Sequence, residues 1–257
     1  MDDATLSCDG FLGGRLQIWQ PLRGYRAGVD PVLLAASVPA RAGDSVLDLG
    51  CGVGVAALCL GARVPGLTLC GVEVQPDYAD LARRNAAVAG QQMEVVCTDL
   101  AALPDHIRQR QFDHVIANPP YFRRSASTPA RDAGRETAMG EGTALADWVA
   151  AAARRVRPGG SVTFIQRSER LPDLLALMAA RLGSLQLLPL IPRRGRVAQL
   201  VLLRGVKGGR AGFSLCDPVL MHDGAAHERD GDSYTAPVAA VLRDGAALCF
   251  GAAGQRS

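Results

Sequence analysis

The sequence predicts an α/β fold in which helices cover both faces of a mostly parallel β-sheet. Segments of strand character and segments of helix character alternate from about residue 45, which is typical of βαβ units. A glycine-rich turn at Asp48–Gly54 follows the first predicted strand and opens the first predicted helix. With 257 residues, of which 48% are apolar, the chain suits one large domain with a buried core.

The core elements are predicted in order from apolar runs and from the Gly and Pro residues that interrupt them. Strands are predicted at Ser45–Leu49, Leu67–Val72, Met93–Cys97, Phe112–Ala117, Val162–Gln166, Leu185–Ile191 and Ala198–Leu203. Helices are predicted at Val55–Arg63, Pro76–Ala89 and Ala144–Val156, with Pro158-Gly159-Gly160 ending the last one.

Residues 45–204 therefore form the predicted core, with an extension on each side. Residues 1–44 contain several glycines before an apolar stretch, and we expect a short hairpin or loop followed by a helix that packs on the sheet. Residues 205–257 begin with a Gly-rich segment and then become acidic. We interpret them as an extension of the same domain that adds one strand and one helix.

Composition argues against several classes of protein. The net charge of +3 is mild, and Lys207 is the only lysine among 28 basic residues, so the abundance of arginine is weak evidence for phosphate binding. The seven cysteines form no C-x-x-C pair and the four histidines lie apart from them, so we expect neither a disulfide framework nor a metal site. The chain shows no signal-peptide pattern and no bilayer-spanning apolar run, so we expect a cytoplasmic protein without a membrane partner.

The segment Asp48-Leu49-Gly50-Cys51-Gly52-Val53-Gly54, called the glycine turn below, has the composition of a cofactor-binding turn. Glycines at alternate positions allow a tight turn and let a ligand approach the backbone. The carboxylate of Asp48 would repel a pyrophosphate but suits a cationic amine. The cofactor-binding residues predicted in this turn are Asp48, Gly50, Cys51 and Gly52.

Acidic residues also follow the next two predicted strands. Glu73, with Val74 beside it, can accept hydrogen bonds from ribose hydroxyls, and Asp99, with Leu100 beside it, can bind an adenine amino group. A ligand with an amine, a ribose and an adenine but no phosphate is S-adenosylmethionine. A dinucleotide site and a structural turn without a ligand are the alternatives.

Asn118-Pro119-Pro120-Tyr121, called the acceptor tetrapeptide below, follows the fourth predicted strand and should lie at the same sheet edge as the glycine turn. The carbonyl groups of Asn118 and Pro119 can accept the two hydrogens of a conjugated amine, and Pro120 restricts the residue before it. Asn118 is also predicted among the cofactor-binding residues. Tyr121 offers a face on which a base can stack. The planar NH2 groups of adenine, of guanine at N2 and of a glutamine side chain would all suit these two carbonyl acceptors. A rigid structural turn is the alternative.

The glycine turn and the acceptor tetrapeptide together resemble the class I S-adenosylmethionine-dependent methyltransferases that act on amino groups. The segment Gln20–Leu34 resembles that of the bacterial tRNA1(Val) adenine N6-methyltransferases, and the resemblance continues at Arg193–Leu203 and Tyr234-Thr235. It implies a Rossmann-like, doubly wound sheet of seven strands, the last of them antiparallel. It also implies S-adenosylmethionine as cofactor, tRNA as partner, and methylation of an adenine N6 amine.

The resemblance further implies that Arg26, Gly28 and Asp30 lie near the methionine end of the cofactor. Asp30 could instead cap the helix that follows it. Because no separate tRNA-binding domain is visible, RNA contacts would come from surface arginines. The candidates are Arg123, Arg124, Arg193, Arg194 and Arg196, and the alternative is a solvated loop in an arginine-rich protein.

Four other functions remain open at this point. A protein glutamine N5-methyltransferase acting on release factors would share the acceptor tetrapeptide, but that family usually has a longer N-terminal domain than the 44 residues here. A DNA adenine methyltransferase would need a target-recognition region, and a guanine N2 methyltransferase of ribosomal RNA usually has a duplicated domain. A cofactor-binding module without activity is disfavoured by the intact tetrapeptide. The sequence does not predict the oligomeric state.

Overall fold

The computed structural model describes residues 3–121, 143–224 and 233–251. The strands are β1 (Leu6–Phe11), β2 (Leu16–Pro21), β3 (Ser45–Leu49), β4 (Thr68–Glu73), β5 (Met93–Cys97), β6 (Phe112–Ala117), β7 (Val156–Arg167), β8 (Gly183–Ile191), β9 (Leu200–Val206), β10 (Ser214–Leu215) and β11 (Val219–Leu220). The helices are α1 (Asp30–Ser37), α2 (Val55–Arg63), α3 (Pro76–Val88), α4 (Asp105–Arg108), α5 (Leu145–Arg155), α6 (Leu171–Ala179) and α7 (Ala236–Asp244).

The central sheet has the strand order β10-β8-β9-β7-β6-β3-β4-β5, and β11 pairs with β8 beyond β10. Strands β3 to β7 are parallel, whereas β9 runs antiparallel to both β7 and β8. The seven strands β3 to β9 are the sheet that the sequence and its family resemblance predict, with the last one antiparallel, so the predicted fold class is confirmed. The two-residue strands β10 and β11 add to its edge.

Successive side chains of the buried strands alternate between two hydrophobic cores, one on each face of the sheet. In β3, Val46 faces the layer formed by α1, α2, α3, α7 and the β1–β2 hairpin, whereas Leu47 faces the layer formed by α4, α5 and α6. Ile116 and Val115 divide in the same way in β6. Because a strand buried on both faces carries apolar residues at successive positions, these strands are predicted from the sequence as short runs rich in apolar residues.

The crossing from β5 to β6 creates the topological switch of the sheet. Successive strands run outward from β3 to β5, and the chain then returns to the opposite side of β3 with β6. The connections that leave the carboxyl ends of β3 and β6 therefore diverge to opposite faces. A crevice at such a divergence is where open α/β sheets bind their ligands.

Three details differ from the predicted elements. Pro158-Gly159-Gly160 does not separate α5 from the next strand but lies inside β7, where the pairing with β6 shifts register between Phe112 and His114. Helix α6 was not predicted. The C-terminal extension contributes two short strands and α7, where one strand and one helix were expected.

The β1–β2 hairpin is tied to the sheet layer through α3. The Asn85 side chain is fully buried, accepts a hydrogen bond from the Trp19 amide at 2.8 Å, and donates to the carbonyls of Trp19 and Val53 at 3.0 and 2.9 Å. Because buried amides need partners for both arms, this residue fixes the hairpin against the glycine turn. None of the helices in the described ranges is both long enough and apolar enough to cross a membrane. The cysteines are all free thiols.

Candidate active site

A cavity of about 320 Å³ opens at the carboxyl ends of the central strands. It brings together ten residues that the sequence predicted for cofactor or acceptor binding: Gly50, Gly52, Glu73, Val74, Asp99, Leu100, Asn118, Pro119, Pro120 and Tyr121. It also contains side chains that the sequence did not assign to a site, among them Tyr25, Gln75, Tyr78, Thr98, Trp148 and Arg167. Gln75 and Thr98 adjoin the predicted residues Val74 and Asp99, and Tyr25 lies in the segment Gln20–Leu34. Tyr78, Trp148 and Arg167 belong to no motif that the sequence analysis identified.

The glycine turn forms one wall of the cavity. Gly50 and Gly52 have φ values of 64° and 55°, in the left-handed region that favours glycine. A Cβ on Gly50 would lie 2.3 Å from the Trp148 ring, so the turn and α5 pack too closely for a side chain there. A Cβ on Gly52 would meet no described atom within 4 Å. Gly52 therefore offers bare backbone to a ligand.

Glu73 braces this wall from the end of β4. Its carboxylate accepts hydrogen bonds from the backbone amides of Gly52 and Gln75, both at 2.9 Å, and the residue is only 6% exposed. Burial raises the pKa of Glu73, while these hydrogen bonds oppose the rise. The carboxylate thus joins two loops at the cavity wall and remains able to accept hydrogen bonds from a ligand.

Asp99 lies at the end of the next parallel strand, beside Glu73 in the sheet order. Its Oδ1 accepts a hydrogen bond from the Ala101 amide at 2.8 Å and caps a short 3-10 turn at Leu100–Ala102. The side chain is exposed to the cavity mouth. The cap fixes the direction of the carboxylate, which keeps a second oxygen for a ligand.

Asp48 lies beneath the glycine turn and is not among the residues that line the cavity. It is 2% exposed, and its Oδ2 accepts a hydrogen bond from the Ala57 amide in the first turn of α2 at 3.3 Å. Burial raises the pKa of Asp48 to about 8, and the nearby charge of Glu73 adds to this. The predicted contact between this carboxylate and a cofactor amine stays a prediction.

We expect Asp48 to make the free protein less stable as the pH rises. The unfolded carboxyl loses its proton near pH 4, whereas the folded one retains it up to about pH 8, so unfolding releases a proton between these values and stability falls with rising pH. Asp48→Asn should remove this slope. Its melting temperature should exceed that of the parent by a small amount at pH 5 and by a clearly larger amount at pH 8.5.

Asp113→Asn is the matched control for that experiment. Burial alone would raise the pKa of Asp113, but hydrogen bonds from Ser45 and the ion pair with Arg157 lower it to about 2. This carboxylate is ionised in both states from pH 5 to 8.5, so its removal should lower the melting temperature by a similar amount throughout. An Asp48→Asn difference that stays constant with pH would contradict the prediction.

Cys51 faces away from the cavity. It is 8% exposed and packs with Ala79, Ala82 and Val95, and a Cβ on Gly71 would lie 2.7 Å from its sulfur. Burial raises the pKa of its thiol well above the ordinary value. Its side chain thus belongs to the packing beneath the turn, although it was predicted among the cofactor-binding residues.

The acceptor tetrapeptide forms the opposite wall, directly after β6. The Asn118 Nδ2 atom donates a hydrogen bond to the Tyr25 hydroxyl at 3.4 Å, and the Tyr121 hydroxyl donates a short hydrogen bond to Asp30 Oδ2. The guanidinium carbon of Arg167 lies 5.4 Å from the centre of the Tyr121 ring, within the range of a cation–π contact. The tetrapeptide and the glycine turn therefore share one cavity.

The N-terminal residues predicted near the methionine end do not line this cavity. Arg26 forms an ion pair with Asp9 at 2.7 Å and donates to the Ser7 hydroxyl at 2.8 Å, so it braces the segment against the β1–β2 hairpin. A Cβ on Gly28 would meet no described atom within 4 Å. Asp30 is not a helix cap either, because Val29 occupies the N-cap position of α1 and the Asp30 carboxylate holds Tyr121.

The predicted RNA-binding arginines divide into three groups. Arg123 and Arg124 lie outside the described residues. Arg193 is 8% exposed and donates to the carbonyls of Asp223 and Gly224 and to the Ser233 hydroxyl, so its prediction as a nucleic-acid contact is corrected to a structural role within the C-terminal extension.

Arg194 and Arg196 are exposed in the connection from β8 to β9. Strand β8 runs in the same direction as β7, so this connection lies at the carboxyl edge, the edge of the cavity. The amide of Ser168, just after β7, also donates to the Gln199 carbonyl at 2.9 Å. These two cations therefore lie in a loop at the same edge of the sheet as the cavity.

Within the described ranges, no three His, Cys, Asp or Glu side chains form a group that could hold a metal ion. The polar groups of the cavity are instead carboxylates, amides, hydroxyls and one guanidinium. Such a set can bind a cationic or ribose-containing ligand on the glycine-turn side and a planar amine on the tetrapeptide side.

Comparison with known proteins agrees with this geometry. The family model of the methyltransferase small domain matches residues 28–188. A tRNA1(Val) (adenine(37)-N6)-methyltransferase of Porphyromonas gingivalis is 32% identical over 196 residues, which cover 70% of this chain and 76% of the relative. A protein of the same name from Actinobacillus succinogenes is 30% identical over 204 residues, which cover 77% and 84%.

Among solved structures, a protein described as a predicted O-methyltransferase of Agrobacterium tumefaciens superposes with a TM-score of 0.67 at 26% identity. The match covers 86% of this chain and 98% of that one. The family model alone covers more than half of the chain and includes both the glycine turn and the acceptor tetrapeptide. The chain therefore belongs to the methyltransferase small-domain family and is a class I methyltransferase.

Proposed function

We propose that this methyltransferase uses S-adenosylmethionine to methylate the exocyclic N6 amine of an adenine in RNA, specifically in tRNA. The observation that carries the proposal is that Asn118–Tyr121 shares a single cavity with the glycine turn and Glu73. The names of the relatives from Porphyromonas gingivalis and Actinobacillus succinogenes support the same acceptor. The free state of the seven cysteines is consistent with a cytoplasmic site of action, which we also propose.

The residues of the glycine-turn side fit S-adenosylmethionine. Gly52 leaves open space beside its backbone, so a ligand can approach closely. Glu73 and Asp99, at the ends of adjacent parallel strands, can accept hydrogen bonds from ribose hydroxyls and from the adenine amine. S-adenosylmethionine supplies an electrophilic methyl group on a sulfonium, which is an intrinsically good leaving group.

The acceptor tetrapeptide contributes to catalysis by positioning the acceptor amine. The Asn118 Oδ1 atom and the Pro119 carbonyl accept the two N–H groups of the adenine amine, so that the nitrogen lone pair turns toward the methyl carbon. As the nitrogen–carbon bond forms, the carbon–sulfur bond breaks and its electron pair stays on sulfur. Tyr121 stacks on the base, and the proton that leaves the methylated nitrogen passes to water. Positioning and preorganised acceptors supply the rate enhancement.

A glutamine amide remains the second candidate acceptor, because its planar NH2 would satisfy the same two carbonyls. The deciding experiment incubates the protein with methyl-labelled S-adenosylmethionine and, in parallel, with unmodified tRNA and unmodified release factor. We expect label in tRNA, recovered as N6-methyladenosine after digestion, and none with Asn118→Ala. Label in the release factor alone would overturn the RNA substrate while keeping the amine chemistry.

We expect the exposed arginines near the cavity to contribute to RNA affinity. Arg194→Glu combined with Arg196→Glu should weaken tRNA binding by about tenfold or more. The slope of log K against log salt concentration should also become smaller in magnitude by about one to two, because fewer counterions are released. Filter binding at several salt concentrations measures both quantities.

The matched control for this charge reversal is Arg41→Glu combined with Arg181→Glu. Both residues are exposed, and they lie at the amino edge of the sheet, before β3 and after α6. The control changes the net charge equally but should alter tRNA affinity much less. Equal losses from both pairs would show that total charge, and not this surface, determines binding.

A further inference from the structure

We propose that Tyr25 and Asp30, from the segment between the β1–β2 hairpin and α1, position the two ends of the acceptor tetrapeptide. Tyr25 sets the orientation of the Asn118 amide, and Asp30 anchors the Tyr121 hydroxyl. Neither residue reacts with the substrate, so both are positioning residues. The inference rests on the proposed function, because it assigns roles within the same site.

The Asn118 amide has two possible orientations, and in the structure it turns its Nδ2 atom toward the Tyr25 hydroxyl. Asn118 Nδ2 donates to this hydroxyl at 3.4 Å, a long hydrogen bond of the kind that tightens when a substrate is bound. Because Nδ2 points to the Tyr25 hydroxyl, Oδ1 is the atom that would accept a hydrogen bond from a substrate amine. The flipped amide would present N–H donors to another N–H donor and could not hold the amine.

Tyr25 is itself held rigidly by α3. Its amide donates to the Tyr78 hydroxyl at 2.9 Å, and that hydroxyl donates back to the Tyr25 carbonyl at 3.3 Å. Tyr78 is 3% exposed, so this backbone clamp is built into the core. Burial, followed by the charges of Asp30 and Asp48, raises the pKa of Tyr25, so its hydroxyl stays protonated in the neutral range.

Asp30 restrains the far end of the tetrapeptide. The Tyr121 hydroxyl donates to Asp30 Oδ2, and the carboxylate lies at the start of α1, whose next seven residues are buried. Burial and the Asp30 charge raise the pKa of Tyr121, so it remains a donor. A tyrosine that is held at its hydroxyl end cannot swing away, and its ring keeps the plane on which a base would stack.

Together these contacts join the N-terminal segment to the first and last residues of the acceptor tetrapeptide, Asn118 and Tyr121. The hydrogen bonds run from Tyr78 to Tyr25 to Asn118 on one side, and from Asp30 to Tyr121 on the other. The segment Gln20–Leu34 would then serve the acceptor half of the site. Loss of these two contacts should slow methyl transfer without lowering the affinity for the cofactor.

The Asp30 arm is tested with Asp30→Ala, Asp30→Asn, Tyr121→Phe and the double variant Asp30→Ala/Tyr121→Phe. Asp30→Ala should lower kcat by about tenfold, because the Tyr121 ring is no longer held. This change corresponds to about 1.4 kcal/mol in activation free energy. Asp30→Asn keeps an acceptor oxygen and should recover most of this loss. The double variant should be no slower than Tyr121→Phe, because both changes remove the same hydrogen bond.

Calorimetric titration of S-adenosylmethionine distinguishes this role from cofactor binding. The dissociation constant should stay within about twofold of the parent for Asp30→Ala and Asp30→Asn alike, well below the tenfold that a lost binding contact would cost. If both variants lost cofactor affinity equally, or if the effects of Asp30→Ala and Tyr121→Phe multiplied in the double variant, the positioning role of Asp30 would be excluded.

The Tyr25 arm is tested with Tyr25→Phe, which removes the hydroxyl and keeps the ring. We expect kcat to fall by about tenfold while KM for the acceptor and cofactor affinity change little. The control is Tyr234→Phe, which removes the hydroxyl of a tyrosine stacked on His222 in the C-terminal extension. Parent-like kcat for Tyr25→Phe, or equal losses for both variants, would overturn the role of Tyr25.

These measurements separate failure of the inference from failure of the proposed function. If the parent methylates release factor and not tRNA, the same variants are assayed on that acceptor, where the same amide orientation is required. Melting temperatures of Asp30→Ala, Tyr121→Phe and the double variant need no acceptor. We expect their losses to be non-additive, and additive losses would overturn the Asp30–Tyr121 contact even if neither acceptor were methylated.

Discussion

Replacement of Asn118 with alanine should lower methyl transfer by at least about a hundredfold, the cost typical of removing one preorganised polar group from an active site. The truncation removes the Oδ1 acceptor, so the amine nitrogen is no longer held in line with the methyl group. Cofactor affinity should stay near that of the parent, because Asn118 belongs to the tetrapeptide wall. Single-turnover assays with labelled S-adenosylmethionine measure the rate, and calorimetry measures the affinity.

Asn118→Asp is the informative companion to this variant. The carboxylate keeps an acceptor oxygen in the same place but loses the N–H donor to the Tyr25 hydroxyl. It should therefore retain more activity than Asn118→Ala. Activity of Asn118→Ala within tenfold of the parent would show that the amine hydrogens are accepted elsewhere.

Replacement of Gly52 with alanine should weaken S-adenosylmethionine binding by between about tenfold and a hundredfold. The added Cβ meets open space in the free protein, so the protein still folds, but it projects where a ligand approaches the turn. Overpacking of this kind costs about 1–3 kcal/mol. Calorimetric titration of the folded variant measures the loss.

The matched control for Gly52→Ala is Gly90→Ala. The φ values are 55° and 63°, and a Cβ on either residue would meet no described atom within 4 Å. Both variants therefore carry the same left-handed strain, about 1–2 kcal/mol, but Gly90 follows α3 at the amino edge of the sheet. Equal cofactor affinity in the two variants would contradict the assignment of Gly52 to the cofactor wall.

The strands and the two motifs could be read from the sequence because their signals are local. Strands β3, β5 and β6 have the predicted bounds, since each is a short segment rich in apolar residues between turn residues. Helix α6 was missed because Leu171–Ala179 is apolar on nearly all sides and shows no clear periodic face. The glycines inside β7 were misread as a boundary because a bulge and a helix end use the same residues.

Site residues without a motif could not be found in this way. Tyr25, Trp148 and Arg167 reach the cavity from three distant parts of the chain. Arg193 looked like its exposed neighbours in the sequence, but its side chain turns inward to satisfy backbone carbonyls of the C-terminal extension. Asp48 follows the expected spacing, yet its carboxylate accepts a hydrogen bond from the first turn of α2, beneath the cavity wall. Burial and partner choice depend on packing between segments that are far apart in sequence.

The sequence by itself determined the class of fold, the turn that approaches a ligand and the tetrapeptide suited to a planar amine. Each of these depends on residue type at short spacing, where backbone conformation and hydrogen-bonding capacity are local properties. The tertiary structure alone decided that Asp30 anchors Tyr121 and that Tyr25 orients Asn118, contacts that span 91 and 93 residues. Such contacts arise when the sheet assembles, because only then does the N-terminal segment lie across the carboxyl end of β6.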